Sequence, residues 1–309
     1  MLSPPAAGAQ QAAPPTIGFL GPTSADGLAS HVEGFRQGLR AAGFIEGTNA
    51  VVEYRWADNR LDRLPALAAE LVARPVAVLA TAGATAAALA AKAASSRIPI
   101  VFAIGADPMK FGLVASMNRP GGNVTGVSYL ANTLVAKQLQ LVRGLLPASG
   151  AIGILVNPGN PNAASDTAQV QAAASSLGLT IHVVHTSAEQ DFAAAFDDLG
   201  RVQASVVLVF PDALFIDGRA RLAELAARHK LPVLYPDRVF VETGGLMSYG
   251  SSRTDASREA GIYVGRILRG EKPSELPVIR PMARGQPCCS TITPSRRTAP
   301  GSAPSMAGS

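Results

Sequence analysis

Cysteine is nearly absent from this 309-residue chain: the two present, Cys288 and Cys289, are adjacent and lie outside the patterned part of the sequence. Such a pair builds neither a disulfide framework nor a metal-binding spacing. Charged residues amount to 16%, and long apolar runs are missing. The longest, such as Val76–Ala80 and Ser205–Phe210, are strand-length and far short of the roughly 20 residues a membrane helix needs. The G-x-S-x-G nucleophile elbow, the G-x-x-x-x-G-K-S/T phosphate loop and a G-x-G-x-x-G after the first strand are all missing, which argues against the common α/β enzymes. Of four histidines, His182 and His185 stand three apart on a strand and point to opposite faces, which disfavours a metal pair. His31 and His229 fall within helices, where surface or boundary positions are the default.

The formal charge is +5, yet Arg284, Arg296 and Arg297 sit in a C-terminal stretch without acids, leaving 24 basic against 22 acidic residues in the rest. No Lys/Arg cluster interleaved with aromatics occurs there, so nucleic acid is not an expected partner. A DNA-binding regulator would also need a helix-turn-helix before the first strand, and only fifteen residues precede Thr16. These residues are small and uncharged, and Ala7-Gly8-Ala9 reads as an A-x-A cleavage site, the remnant of an export signal; the bland alternative is a disordered leader.

What the sequence does contain is alternation. Short β-branched runs at 16–20, 51–54, 76–80 and 98–104 are separated by stretches of helical period, the pattern of βαβ units and a parallel sheet. Ser24 and Asp26 can cap the first helix, whose Leu28, Val32, Phe35 and Leu39 share a face until Gly43. A strand at 124–128 and a helix at about 131–146 follow. The scheme then restarts with strands at 152–156, 180–184, 205–210 and 232–235 and helices around 161–177, 188–200 and 215–230. A last helix runs from about 254 to 269. The fold class is therefore α/β: two Rossmann-like lobes with parallel sheets joined by a hinge near 127–130 and 245–253. The expected division is 16–127 plus 248–280 for the first lobe and 128–247 for the second. Beyond Pro281 large apolar side chains all but vanish, and disorder is expected there.

In open α/β sheets ligands bind at the carboxyl ends of strands, where helix N-termini present N–H groups. Those ends carry Thr23 and Ser24; Thr81, Gly83, Ala84 and Thr85; Gly105, Ala106 and Asp107; Ser128; Asn157; and Asp212. The Thr81–Thr85 loop suits a carboxylate, although both threonines can equally cap the helix. Asp107 and Asp212 could meet an ammonium group or simply form turns. Tyr129, Tyr235 and Tyr249 fall at predicted crossings between lobes, to stack on a ligand or pack at the hinge.

Several stretches resemble a known family: Ile17–Leu20, Asp62–Leu71, Pro99–Phe102 running into Gly105-Ala106-Asp107-Pro108, Asn118–Gly126, Gly244–Gly250 and Ala260–Leu268. Together they resemble the tryptophan/tyrosine-type ABC transporter substrate-binding proteins, related to branched-chain amino acid receptors, over about 16–281. The resemblance implies a type I periplasmic-binding fold with three crossovers and a monomer in the periplasm. It implies capture of a small polar solute, an amino acid or similar carboxylate, for an ABC permease of the inner membrane, with no cofactor and no catalysis. It places the carboxylate at Thr81–Thr85, with Gly105, Ala106 and Asp107 adjoining and Asp212 opposite. A receptor for a sensor system and a small-molecule enzyme stand as alternatives. Ala82-Gly83-Ala84-Thr85 replaces a Gly-Gly-Thr-Pro-like turn, which leaves the solute open. After Pro281 the family's final strand and helix are replaced by low-complexity residues, as a change of reading frame would do, so the last crossover is expected to be missing.

Overall fold

The computed structural model describes residues 13–129, 134–145 and 150–280. Its first lobe comprises β1 (Thr16–Gly21), α1 (Ala29–Ala41), β2 (Val51–Trp56), α2 (Leu64–Val72), β3 (Val76–Ala82), α3 (Thr85–Ala94), β4 (Ile100–Ile104) and β5 (Val124–Ser128). The second comprises α4 (Val135–Leu145), β6 (Ile152–Val156), α5 (Ala163–Ser176), β7 (Ile181–His185), α6 (Phe192–Arg201), β8 (Val206–Val209), α7 (Ala213–Asp217), α8 (Arg219–His229), β9 (Val233–Tyr235), α9 (Arg238–Glu242) and β10 (Met247–Ser248). Helix α10 (Arg253–Leu268) then returns to the first lobe.

Both sheets are parallel throughout, ordered β2-β1-β3-β4-β5 and β7-β6-β8-β9-β10. Read from each lobe's first strand, the two orders are the same. Because parallel strands need crossovers that cover both faces, the central strands are buried on both sides. In the first lobe Ile17, Phe19, Val78, Ala80 and Val101 pack on α1 and α10, while Leu20, Leu79, Ile100, Phe102 and Ile104 pack on α2 and α3. The second lobe repeats this with Leu155, Val207 and Val209 against α6 to α9, and Ile152, Ile154, Val206 and Leu208 against α4 and α5.

Several expectations are corrected here. Ser24 and Asp26 do not cap α1, which begins only at Ala29 with no side-chain cap. Neither Thr81 nor Thr85 caps α3, whose N-cap is Ala84 in an extended conformation. The helix expected over 215–230 is two, α7 and α8, broken at Gly218, where a Cβ would lie 2.4 Å from the Phe192 ring. His31 is not at the surface but buried, 3% exposed. Ser248, assigned from sequence to the first lobe, pairs with Tyr235 in the second sheet. The export-signal reading and the expected tail fall outside the described residues, as do 131–133 and 146 of the helix expected over 131–146. The chain does reach the far edge of the first sheet: Ile279 bridges to Val127 beside β5, with Ser128 N–H donating to the Ile279 carbonyl at 2.9 Å. No helix among the described residues is long and apolar enough to cross a membrane.

Helices α1 and α10 cross at glycines because nothing larger fits. A Cβ on Gly38 would lie 1.9 Å from the Arg258 carbonyl oxygen, and one on Gly261 2.2 Å from that of Phe35. Gly38→Ala is therefore expected to lower unfolding free energy by about 2 kcal/mol, as overpacked cores do. Gly144→Ala, in a helix with open space at the Cβ position, should be neutral or stabilise by up to about 1 kcal/mol. Urea titration of both variants checks this; equal midpoints would contradict the close crossing.

Candidate functional site

The strand order reverses between β1 and β3 in the first lobe and between β6 and β8 in the second, and the crevice at such a switch point is where ligands bind. The loops leaving those strands face one another across the gap between lobes. From the first lobe come the segment after β1, the turn at 57–59 after β2 and the loop from β3 into α3. From the second come Asn157–Asn162 and the segment Asp212–Arg219.

The lobes clasp through Asp217. Its carboxylate accepts the Ser24 N–H at 3.3 Å and the Ser24 hydroxyl at 3.1 Å, and takes the Asn59 amide at 2.6 Å. Ser24 is held in place by the Gly27 N–H, which donates to its Oγ at 3.1 Å. Gly27 leaves room for the carboxylate: a Cβ there would sit 1.8 Å from Asp217 Oδ1. Alongside, Arg219 Nη2 donates to Asp26 Oδ2 at 2.7 Å, and Asn162 Nδ2 donates to Thr85 Oγ1 at 3.3 Å.

Between these contacts the polar groups are incompletely matched. Thr81 is 1% exposed, and its Oγ1 has no hydrogen-bond partner. The same holds for Asn59 Oδ1, Asn162 Oδ1 and Arg219 Nε. Buried polar atoms are rarely left unpaired, so their concentration where the two switch points meet marks a place for a polar guest. Helix α3 starts beside Thr81 with no side-chain cap hydrogen bond, leaving its first N–H groups and the positive end of its dipole to other acceptors.

Asp212 caps α7, accepting the Leu214 N–H at 2.8 Å, and receives Asn157 Nδ2 at 3.0 Å and Asn160 Nδ2 at 2.7 Å. Those three donors occupy three of about four acceptor positions on a carboxylate. Burial raises its pKa above the ordinary carboxylate range, while the Asn157 amide, the Leu214 N–H, the Asn160 amide and the charge of Arg253 pull it back.

Toward the hinge lies a cavity lined by Tyr129, Gln138, Asp166, Phe210, Ser251 and Arg253 among others, with room of about 20 Å3, enough for about one water molecule. Anything larger requires the lobes to part. Here Ser251 Oγ donates to the Tyr129 carbonyl at 3.0 Å, tying the two crossings together, and Gln138 Nε2 donates to the Tyr249 carbonyl at 2.8 Å. Arg253 Nε lies 3.2 Å from Asp237 Oδ2, an ion pair between lobes with side chains 3% and 15% exposed. Buried His31 feels that pair; burial first, then the Arg253 charge, pushes its pKa down to about 4, with Asp237 opposing.

The remaining expected residues are scattered. Thr23 is buried, its hydroxyl donating to the Ser24 carbonyl at 3.0 Å. Ser128 donates inward to the Ala106 carbonyl at 2.8 Å. Gly105 and Ala106 line the turn after β4, and Asp107 accepts the Met109 N–H at 2.9 Å as a turn former. Gly83 adopts φ +90° against Leu28 and Pro22, bringing the β3 loop beside the β1 loop. Tyr129 and Tyr249 do lie at crossings. Tyr235 does not; it is stacked on Phe240 with centroids 4.7 Å apart inside the second lobe's core. The sequence reading missed Asn59, Asn162, Asp166, Asp217, Arg219, Asp237 and Arg253.

The comparisons agree with this geometry. Residues 16–284 match the family described as ABC transporter substrate binding protein, and the chain belongs to that family. It is accordingly a binding protein rather than an enzyme. A tyrosine-binding protein of Clostridioides difficile (strain R20291) is 27% identical over 249 residues, 80% of this chain and 70% of that one. A solved structure of a conserved domain protein from Vibrio cholerae is 28% identical with TM-score 0.79, covering 85% of this chain and 88% of the other. The ABC domain in complex with L-Trp from Streptococcus pneumonia is 24% identical with TM-score 0.78, covering 86% and 88%. The ligand-free, open structure of a substrate-binding protein with adhesive properties from Clostridium difficile is 25% identical with TM-score 0.61, covering 86% and 89%.

Two tests follow from the site. Asp217→Ala removes the acceptor for three donors and should increase the radius of gyration in small-angle X-ray scattering; an unchanged value would show that the lobes are held elsewhere. The second concerns Asp166, whose pKa burial pushes up to about 7, with Lys110 opposing. From about pH 4 to 7 the folded state keeps a proton that the unfolded chain has lost, so Asp166 lowers stability progressively as pH rises through that window. Asp166→Asn should match wild type near pH 4 and exceed it by on the order of 1–3 kcal/mol at pH 8. Denaturant titrations at both pH values check the sign.

Proposed function

We propose that this chain captures a free α-amino acid in the periplasm, between its lobes, and delivers it to an ABC permease. The observation that carries this reading is the buried, unpartnered Thr81 hydroxyl beside the uncapped start of α3, across from Asp212. An α-amino acid is small, anionic at one end and cationic at the other. Its carboxylate fits the N–H groups of α3 together with Thr81 Oγ, and its ammonium fits the acceptor position that Asp212 keeps open. In this reading the donor set and the acceptor lie on opposite lobes, so a single solute bridges them.

Three further observations support it. Family membership implies a solute handed to a transporter, and such proteins work outside the cytoplasm. The relatives include a tyrosine-binding protein and a structure holding L-Trp. The fit to that complex, TM-score 0.78, is better than to the open, ligand-free relative, 0.61, at equal coverage of this chain, 86% in both. In the proposed cycle the solute favours the closed form because only that form lets it touch both lobes.

Thermal-shift screening against the standard amino acids tests the reading, since a ligand that binds only the folded state raises the melting temperature. At least one α-amino acid should give a clear shift, its decarboxylated amine none. Thr81→Ala should weaken binding about tenfold, the loss of one hydrogen bond to a charged group. A folded protein that responds to no amino acid would refute the proposal.

A further inference from the structure

We infer that Arg253 receives a carboxylate on the side chain of the bound amino acid, so that the solute is an acidic one. This rests on the reading of the cleft as an amino-acid site and names the class of solute it selects.

Arg253 is the first residue of α10, directly after the crossing that brings the chain back from the second lobe. A cation is locally unfavourable there, because the helix N-terminus already carries positive partial charge. It is also only 4% exposed. A local rule broken at a buried position calls for a compensating interaction, and the one found is partial. Asp237 Oδ2 makes its nearest approach at Nε, 3.2 Å away. A guanidinium carries five N–H donors, and among the described residues none accepts from Nη1 or Nη2. The side chain lines the hinge-side cavity, and Nη1 and Nη2 form its edge without a protein acceptor. That edge is a planar fork, the geometry that pairs two-for-two with a carboxylate.

The position relative to the α-amino and α-carboxyl sites fits a side chain rather than the backbone end of the solute. Pro211, the neighbour of Asp212, lines the same cavity as Arg253, so a solute whose ammonium meets Asp212 carries its side chain toward the guanidinium. The charges then close in pairs: α-carboxylate with the α3 terminus, ammonium with Asp212, side-chain carboxylate with the outer edge of Arg253, whose inner edge stays with Asp237. Other cavity groups suit an anion. Burial keeps the Tyr129 phenol protonated, its pKa raised. Phe210, Val209 and Pro211 supply the apolar wall for the methylene carbons.

Isothermal titration calorimetry on the full chain with two isosteric pairs, L-glutamate with L-glutamine and L-aspartate with L-asparagine, together with L-tyrosine, tests this. One acid should bind at least about tenfold more tightly than its own amide and than tyrosine, the discrimination expected where a buried donor is left unpaired. Arg253→Gln should bring the acid-to-amide ratio to about one. Arg253→Lys keeps the charge opposite Asp237 and guards against a folding defect, and should lower the ratio severalfold because a single ammonium cannot form the fork. Binding of tyrosine or an amide as tightly as either acid, or an unchanged ratio in both variants, would overturn the inference while leaving the amino-acid reading intact. Failure of every amino acid to bind would remove both.

Discussion

Two parallel sheets facing each other by their carboxyl edges impose the constraint from which the rest follows. The polar contacts across the gap come from the segments that follow the strands, in loops such as Ser24 and Asn59 or at helix ends such as Thr85, Asp217 and Arg219. Asp217 gathers the largest share, holding Ser24 and Asn59 together, while Asp26 meets Arg219 and Thr85 meets Asn162. None of these partners belongs to either lobe's apolar core, so the two lobes fold around separate centres and meet through exchangeable polar bonds. Cores packed to crystal-like density do not deform continuously. Movement is thereby confined to the crossings and to the polar contacts, as a protein that must open and close requires.

The hinge side of the cleft carries its own buried polar contacts. The ion pair of Arg253 with Asp237, the neutral buried His31 and the Tyr129 phenol lie where the crossings meet, and Ser251 ties one crossing to the other. A buried ion pair gains little net stability because desolvation offsets attraction. Its value here lies in placement: it holds a guanidinium at the wall of the hinge-side cavity.

Much of the fold was legible because each helix and strand carries its own period. Leu28, Val32, Phe35 and Leu39 mark α1 unaided, and the buried β-branched runs mark the strands. What escaped depends on contacts distant in sequence. The strand order could not be read, and with it the opposition of the two switch points. Asp217 looked like part of one continuous helix; it is the last residue of α7, because the chain breaks at Gly218, where the Phe192 ring leaves no room for a Cβ, a neighbour no local pattern reveals. Ser24 and Asp26 looked like caps because side-chain oxygens before an apolar helix usually are; here their partners lie 193 residues away. Arg219 and Arg253 left a local sign, each a cation opening a helix. Of the expected site, Ser24, Thr81, Thr85, Asn157 and Asp212 lie at the facing loops and Tyr129 at the cavity, while Tyr235 is drawn into the core by its stacking on Phe240.

The central claim is that one amino acid bridges the lobes and holds them closed. The most direct measurement is the distance between Met109 in the first lobe and Leu246 in the second, both exposed, from single-molecule fluorescence transfer between labels at those positions. Adding the binding amino acid should convert a distribution with a long-distance population into a single short one, with a midpoint equal to the calorimetric Kd. A distance distribution that does not respond to saturating solute would contradict the account.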